Sequence, residues 1–198
     1  MQKNLLIMSE MPQYFVNLAD KNFNTHKLWL QNDEDKFISE IQEKVDAIAV
    51  MGGYKITPEL MKSMTNLKII ACYGVGYDAI DIAYAKSLGI KVTNTPEVLN
   101  DEVADTAIAL MLCVYRKILE ADKFARNNSW VNGEFPLTKK FSGSKLGIVG
   151  MGRIGKAIAK RAEAFNCTIS YHSRNKKNVE YQFYDNLIEL AKEVDTLC

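Results

Sequence analysis

Residues 145–165, KLGIVGMGRIGKAIAKRAEAF, decide the fold of the C-terminal half of the chain. The segment begins with an apolar run that suits a buried parallel strand. Gly150, Gly152 and Gly155 follow in the spacing G-x-G-x-x-G, and apolar residues then recur at helical spacing. A strand, a glycine turn and a helix in this order indicate dinucleotide binding, whereas the motif alone would also suit a glycine turn in another α/β domain.

Each glycine of this motif has its own physical role. Gly150 allows a tight turn, Gly152 lets a pyrophosphate approach the backbone, and Gly155 lets the helix pack close to the strand. The free N–H groups and the positive dipole end of the first helical turn then bind the phosphates.

Size and composition are those of a soluble globular protein. The 198 residues suffice for one large domain or two small ones. A net charge of +1 gives no reason to expect a nucleic-acid partner or an anionic membrane surface. No apolar run approaches transmembrane length, and the N-terminal apolar run is too short for a signal peptide. We therefore expect a cytoplasmic protein with neither a nucleic-acid nor a membrane partner.

The cysteines are scattered and include no C-x-x-C pair. Three of them lie in apolar segments that suit strands or helices. Buried reduced thiols are therefore expected, rather than a disulfide framework or a metal site. The four residues are Cys72, Cys113, Cys167 and Cys198.

Strand-like and helix-like segments alternate through the N-terminal half, which predicts a parallel open sheet. In the first helix, Tyr14, Phe15 and Leu18 suit one face. Expected helix starts are Asn32 or Asp33 as a cap, and Pro58 at the first helical position. The predicted strands are 5–8, 27–30, 47–51, 67–72 and 91–93, and the predicted helices lie near 14–18, 33–45, 58–64 and 82–88.

A long helix is predicted next, with Asn100 or Asp101 as its cap. Its side chains are apolar around most of the surface, which predicts a helix buried all round, between two domains. The segment 126–144 is polar and is expected to be an exposed excursion. Strands at 168–172 and from Val194, and a helix near 187–191, complete the second domain. About three strands is well short of a doubly wound sheet, so we expect a fragment or truncated product of a longer protein.

The residues after strand 168–172 bear on the choice of dinucleotide. In folds of this type an acidic residue about 20 positions after the glycine motif binds the adenosine ribose and repels a 2′-phosphate. Ser173 and Arg174 stand there, and no carboxylate occurs before Glu180. A hydroxyl and a guanidinium suit a phosphate dianion. We predict NADP rather than NAD, with a solvated basic loop as the alternative.

Four further segments accompany the glycine motif: YGVGYDAID at 73–81, NTP at 94–96, VLNDEVAD at 98–105 and YHSRNKK at 171–177. Together they resemble the D-isomer-specific 2-hydroxyacid dehydrogenases, most closely the NADPH-dependent glyoxylate/hydroxypyruvate reductase branch. The resemblance covers nearly the whole chain, and several ordered motifs at family spacing are far more specific than any one of them.

The resemblance implies a role for the glycine loop after the fourth strand. Backbone N–H groups of Val75 and Gly76 would hold the substrate carboxylate, with Tyr73 or Gly74 nearby. Successive N–H groups in a glycine turn do form an anion nest, although an ordinary tight turn is an equal interpretation from the residues alone.

The resemblance also implies the cofactor contacts. Asn100 and Val103 would approach the nicotinamide, with cap and core as their structural alternatives, and Arg153 and Ile154 would donate backbone N–H groups to the pyrophosphate. Asn100 joins the substrate-binding group. The cofactor-binding set is Gly150, Gly152, Arg153, Ile154, Gly155, Ser173, Arg174 and Val103.

The family's catalytic arginine, histidine and glutamate have no match in this sequence. The two histidines, His26 and His172, do not fall at the family position. We therefore assign no catalytic residue and no metal ligand, and expect the catalytic groups of the family to lie beyond Cys198.

These observations predict an α/β protein: an N-terminal flavodoxin-like parallel-sheet domain, then a partial Rossmann dinucleotide-binding domain. Residues 1–99 would bind substrate, and residues 100–198 would form the interdomain helix and the start of the dinucleotide domain. The expected activity is hydride transfer between NADP(H) and a small 2-oxo acid such as hydroxypyruvate or glyoxylate, with this chain inactive alone. The alternative is a non-catalytic dinucleotide-binding or interaction module. The resemblance also implies a homodimer through the long helix and the segment after it.

Overall fold

Two parallel β-sheets organise the structure, a computed structural model that describes residues 2–198. The chain divides into two compact units, Met1–Val98 and Leu99–Cys198. Each unit alternates strands and helices around its own sheet and its own apolar core. No helix within residues 2–198 is both long enough and apolar enough to cross a membrane.

The first unit carries a five-stranded sheet in the order β2-β1-β3-β4-β5, all parallel. This order is that of flavodoxin-like folds. Side chains of Asp33, Thr57 and Asp81 cap three of its helices, as their residue types favour. Its strands are β1 Asn4–Ile7, β2 Asn24–Lys27, β3 Ala47–Met51, β4 Ile69–Tyr73 and β5 Lys91–Thr93, and its helices are α1 Gln13–Asn22, α2 Glu34–Ile41, α3 Pro58–Ser63 and α4 Ile82–Ser87.

The second unit carries a four-stranded parallel sheet in the order β8-β7-β6-β9. Read from its first strand, this is the start of the classic dinucleotide-binding order. The predicted fold class is therefore confirmed. Its elements are α5 Asn100–Arg116, α6 Ile118–Arg126, β6 Lys145–Val149, α7 Arg153–Glu163, β7 Thr168–His172, β8 Gln182–Tyr184, α8 Leu187–Glu193 and β9 Thr196–Leu197.

Two details of the first unit differ from the sequence prediction. The second strand ends at Lys27, and Leu28–Leu30 form a 3-10 turn that carries Leu28 into the core. In α1 the buried residues are Val16 and Ala19, whereas Tyr14 and Leu18 are exposed. Of the predicted face only Phe15 packs against the core, partly buried beside the cluster that contains Val16 and Ala19.

The long helix also differs from its prediction. Within its unit α5 buries only Ala104, Ile108 and Met111, one stripe at helical spacing, and leaves Leu110 and Val114 exposed. It is therefore not buried all round. Its N-cap is Leu99 without a side-chain bond, so the predicted Asn100 or Asp101 cap was wrong.

Lys117 ends α5 in a left-handed conformation, φ 49°, and a separate helix, α6, follows. Neither this break nor strand β8 was predicted from the sequence. With β8 the second sheet has four strands rather than about three. β8 is short, with an exposed residue at its start, so it lacks the apolar run of a central strand.

Candidate functional site

The glycine turn of the second unit joins β6 to α7. Gly150 has φ 108°, a conformation that favours glycine, and its N–H donates to the carbonyl oxygen of His172 at 2.8 Å. A Cβ on Gly155 would lie 2.1 Å from the carbonyl oxygen of Gly150 and 3.3 Å from Ile148. Glycine at position 155 is thus what allows the helix to approach the strand this closely.

Gly152 differs from the other two glycines because neither its backbone angles nor a close protein contact excludes a side chain at this position. A Cβ there would meet nothing within 4 Å, and its φ of −85° is open to other residues. Within residues 2–198, the N–H groups of Met151, Gly152 and Ile154 have no hydrogen-bond acceptor. Open space beside unpartnered N–H groups at a helix start fits the pyrophosphate of a dinucleotide.

This turn and the loop after β7 line one cleft of about 510 Å³. Arg174 and Lys177 supply positive charge, and neither pairs with a carboxylate within residues 2–198. The hydroxyl of Ser173 donates to the carbonyl oxygen of Asn175 at 2.7 Å. The lining residues are Val149, Gly150, Met151, Gly152, His172, Ser173, Arg174, Asn175 and Lys177, with no carboxylate among them.

A second glycine loop, residues 74–76, follows β4 in the first unit. A Cβ on Gly74 would lie 2.9 Å from the Cα of Gly52, so the loops after β3 and β4 touch through their backbones. The N–H of Thr95 donates to the carbonyl oxygen of Gly74 at 3.0 Å, and the side-chain amide of Asn94 donates to the carbonyl oxygen of Val75 at 2.9 Å.

The third carbonyl oxygen of this loop, that of Gly76, also accepts a hydrogen bond, from the thiol of Cys72 at 3.4 Å. By contrast, the N–H groups of Val75 and Gly76 have no acceptor within residues 2–198. Carbonyls held by the protein and N–H groups left without partners are the arrangement of an anion nest. The burial of Cys72 raises the pKa of its thiol, which therefore stays protonated and able to donate.

Tyr73 lies directly before this loop and bonds to a residue that the sequence analysis did not assign to the site. The hydroxyls of Tyr14 and Tyr73 are 2.6 Å apart, and the ring of Phe15 lies 6.5 Å from that of Tyr73. The hydrogen bond to Tyr73, with a smaller contribution from desolvation, raises the pKa of Tyr14. Tyr14 was missed because the sequence pattern only grouped it with Phe15 and Leu18 on one face of the helix, whereas the structure exposes it beside the loop.

The remaining predicted site residues lie in the second unit. Asn100 is half-buried and Val103 is 41% exposed, both in the first turn of α5. Arg153 and Ile154 are the first residues of α7. The glycine turn, its helix start and the basic loop are thus brought together in one unit, while the loop at 73–76 belongs to the other.

The two histidines lie in different units, and His26 is not at the glycine loop of the first unit. His26 is on β2, which β1 and β3 separate from β4, and its Nε2 lies 3.1 Å from the side-chain oxygen of Asn4. Burial, with a smaller contribution from the charge of Lys44, lowers the pKa of His26. His172 lines the cleft beside the glycine turn of the second unit, where its Nδ1 lies 3.0 Å from the carbonyl oxygen of Tyr184.

Comparison with known proteins shows one family. Residues 5–198 match the model of the D-isomer specific 2-hydroxyacid dehydrogenase catalytic domain. The chain is 42% identical over 194 residues to a hydroxyphenylpyruvate reductase of Plectranthus scutellarioides, covering 98% of this chain and 62% of that protein. The chain therefore spans less than two thirds of the length of this relative.

Solved structures agree with this match. A 2-hydroxyacid dehydrogenase from Ketogulonicigenium vulgare superimposes with a TM-score of 0.92 at 35% identity, covering 100% of this chain and 63% of the other. An NADPH-dependent glyoxylate/hydroxypyruvate reductase from Sinorhizobium meliloti, in complex with NADP and malonate, gives 0.85 at 36% identity, covering 100% and 61%.

Proposed function

Because the chain belongs to the D-isomer specific 2-hydroxyacid dehydrogenase family, we propose that its two units supply binding sites for NADPH and for a small 2-oxo acid, the reactants of an NADPH-dependent reduction to the 2-hydroxy acid. Hydroxypyruvate and glyoxylate are the first candidate substrates. One observation carries the proposal: the glycine turn and the unpaired cations of the loop after β7 line the same cleft.

The cofactor would lie along this cleft. NADPH, when bound, supplies the hydride. The N–H groups at Gly152 and at the start of α7, Arg153 and Ile154, would hold the pyrophosphate, while Gly150 and Gly155 shape the turn. Arg174 would bind the 2′-phosphate by charge-assisted hydrogen bonds. Ser173 would join it as donor only after releasing the carbonyl of Asn175, so Arg174 is the main determinant.

The substrate carboxylate would bind to the N–H groups of Val75 and Gly76, with Gly74 setting the close approach of the loop to Gly52. Tyr73, tied to Tyr14, offers an aromatic wall with hydroxyl groups next to the nest. Aryl 2-oxo acids such as hydroxyphenylpyruvate therefore belong in the substrate panel. Asn100 and Val103 would approach the nicotinamide.

Proton transfer needs a donor at the substrate carbonyl, and the described part of the first unit has no histidine beside the loop at 74–76. We infer that the 198-residue chain binds cofactor without turning over. The competing function, a non-catalytic dinucleotide-binding module, is favoured by the same observation. NADPH oxidation with each 2-oxo acid tests this inference, since turnover by a chain of verified mass would require a proton donor among the present residues.

A homodimer is proposed for the second unit. Its helices α5 and α6 and the segment after them expose several large apolar side chains, each more than 60% exposed, and such patches mark association surfaces. Sedimentation equilibrium tests this: a dimer mass is expected, and a monomer at micromolar concentration would contradict it. The exposed residues include Val114, Leu119, Trp130, Val131 and Leu137.

A cytoplasmic location is also proposed, because the four cysteines are free thiols and the cytosol keeps thiols reduced.

Isothermal titration with NADPH and NADH tests the cofactor assignment. Arg174→Ala should weaken NADPH binding by about ten- to 100-fold, because hydrogen bonds to charged groups contribute about 1.5–3 kcal/mol, and should leave NADH binding nearly unchanged. Lys139→Ala, an exposed cation outside the cleft, is the matched control. Equal losses for both coenzymes would contradict the assignment.

A further inference from the structure

Tyr171 is the largest side chain that the second unit buries completely. It lies on β7, and its ring packs against Phe183 of β8, with ring centroids 5.4 Å apart. It does not line the dinucleotide cleft. A buried phenol needs a hydrogen-bond partner for its hydroxyl, and the identity of that partner connects Tyr171 to the cleft.

The hydroxyl of Tyr171 makes two hydrogen bonds to one residue, Lys177. It donates to the carbonyl oxygen of Lys177 at 3.2 Å and accepts from the N–H of Lys177 at 2.9 Å. The carbonyl also accepts from the N–H of Val179 at 3.0 Å, but the N–H has no other partner within residues 2–198. A single core hydroxyl therefore holds the backbone of Lys177 in place.

Lys177 is the far end of the basic loop. The near end is fixed by the sheet, because His172 on β7 pairs with Val149 on one side and with Tyr184 on the other. Between these two fixed points the loop has its own short bond, from the hydroxyl of Ser173 to Asn175. The position of Arg174 in the cleft thus depends on the anchor at Lys177.

We propose that Tyr171 is a positioning residue for coenzyme selectivity, which acts through Lys177 to preorganise the loop that binds the 2′-phosphate. The inference rests on the NADPH assignment above. A loop fixed in its binding conformation loses less conformational entropy when it engages phosphate. NADH has no 2′-phosphate, so its affinity does not depend on this anchor.

Tyr171→Phe tests the role because it keeps the ring and its packing while removing both hydrogen bonds to Lys177. We expect the dissociation constant for NADPH to rise roughly three- to tenfold, as for one loop segment that must be ordered on binding, and that for NADH to stay within about twofold. Tyr181→Phe is the matched control, since its hydroxyl donates to Glu163 at 2.8 Å and not to the loop.

Hydrogen exchange at the Lys177 amide gives a second readout, and it should speed up in Tyr171→Phe but not in Tyr181→Phe. Wild-type chain that binds NADPH and NADH equally would overturn the coenzyme assignment and the role of Tyr171 with it. A wild-type preference that Tyr171→Phe retains would overturn the role of Tyr171 alone. Equal weakening of both coenzymes would reduce Tyr171 to a general core residue and would equally overturn the proposal.

Discussion

Alanine at Gly155 should mainly lower stability, whereas alanine at Gly152 should mainly lower the affinity for NADPH. In Gly155→Ala the new Cβ would meet the carbonyl oxygen of Gly150 at 2.1 Å. Ordinary contact begins at 3.4 Å, so α7 must retreat by about 1.3 Å, the difference between the two distances. The obstructing atom is backbone and cannot rotate away as a side chain could.

Overpacking of this kind costs about 1–3 kcal/mol, commonly more when backbone must shift. Alanine in a helix recovers at most about 1 kcal/mol relative to glycine. A net loss of about 1–2 kcal/mol in a unit of roughly 100 residues should lower Tm by about 5–15 °C. At Gly152 the Cβ meets no atom within 4 Å, so Gly152→Ala should cost only the difference between glycine and alanine as N-cap residues, about 0.5–1 kcal/mol.

Binding should respond the other way. If the pyrophosphate binds beside Gly152 as proposed, alanine there should weaken NADPH binding at least tenfold. Thermal unfolding followed by circular dichroism, with calorimetric titration of NADPH at a temperature where both variants are folded, measures the two effects separately. Equal loss of Tm in both variants would contradict the close backbone contact at Gly155. Undiminished NADPH affinity in Gly152→Ala would contradict the proposed pyrophosphate position.

Three further predictions concern other parts of the chain. Gly74→Ala should destabilise the first unit by about 1–3 kcal/mol, because its Cβ would lie 2.9 Å from the Cα of Gly52; thermal unfolding measures this, and an unchanged Tm would argue against backbone contact. Burial and the hydrogen bond to Glu163 raise the pKa of Tyr181 to about 12. Its contribution to stability should therefore be complete below about pH 10, where the phenol of the unfolded chain titrates, and should be lost as the pH rises towards 12. Tyr181→Phe should remove that part of the alkaline loss in a pH series of unfolding curves, and an unaltered series would contradict it. Raising the salt concentration should weaken NADPH binding more than NADH binding, since Arg174 contributes by charge and salt screens exposed charges; parallel salt dependences in calorimetric titrations would count against a phosphate contact.

Local sequence signals were sufficient for three central strands, β3 in the first sheet and β6 and β7 in the second. The strands Ala47–Met51 and Thr168–His172 occur at their predicted positions, and so does the strand–glycine–helix unit around Gly150. In each of these strands the three middle residues are buried, as expected for strands inside a parallel sheet.

Edge strands and helix faces were less predictable. β2 reads NTHK and β8 reads QFY, and each is an edge of its sheet, where polar residues are tolerated. The break at Lys117 depends on one residue with left-handed backbone angles. That residue is a lysine, so no glycine marks the position in the sequence. Periodicity also misplaced Tyr14, because it does not indicate which of two possible faces a short helix buries.

The candidate site was predictable only where its residues are close in sequence. The glycine turn and the basic loop are local motifs, and the structure joins them in one cleft. The hydroxyl contact between Tyr14 and Tyr73 links residues 59 positions apart. The anchor between Tyr171 and Lys177 joins a core phenol to a loop backbone. Tertiary packing sets both contacts, and no spacing rule describes them.

The most direct test of the central claim is a crystal structure of the 198-residue chain with NADPH. We expect pyrophosphate density against the N–H groups at Gly152 and the start of α7, with the 2′-phosphate within hydrogen-bond distance of the Arg174 guanidinium. Nucleotide bound elsewhere, or a 2′-phosphate that points away from Arg174 into solvent, would contradict it.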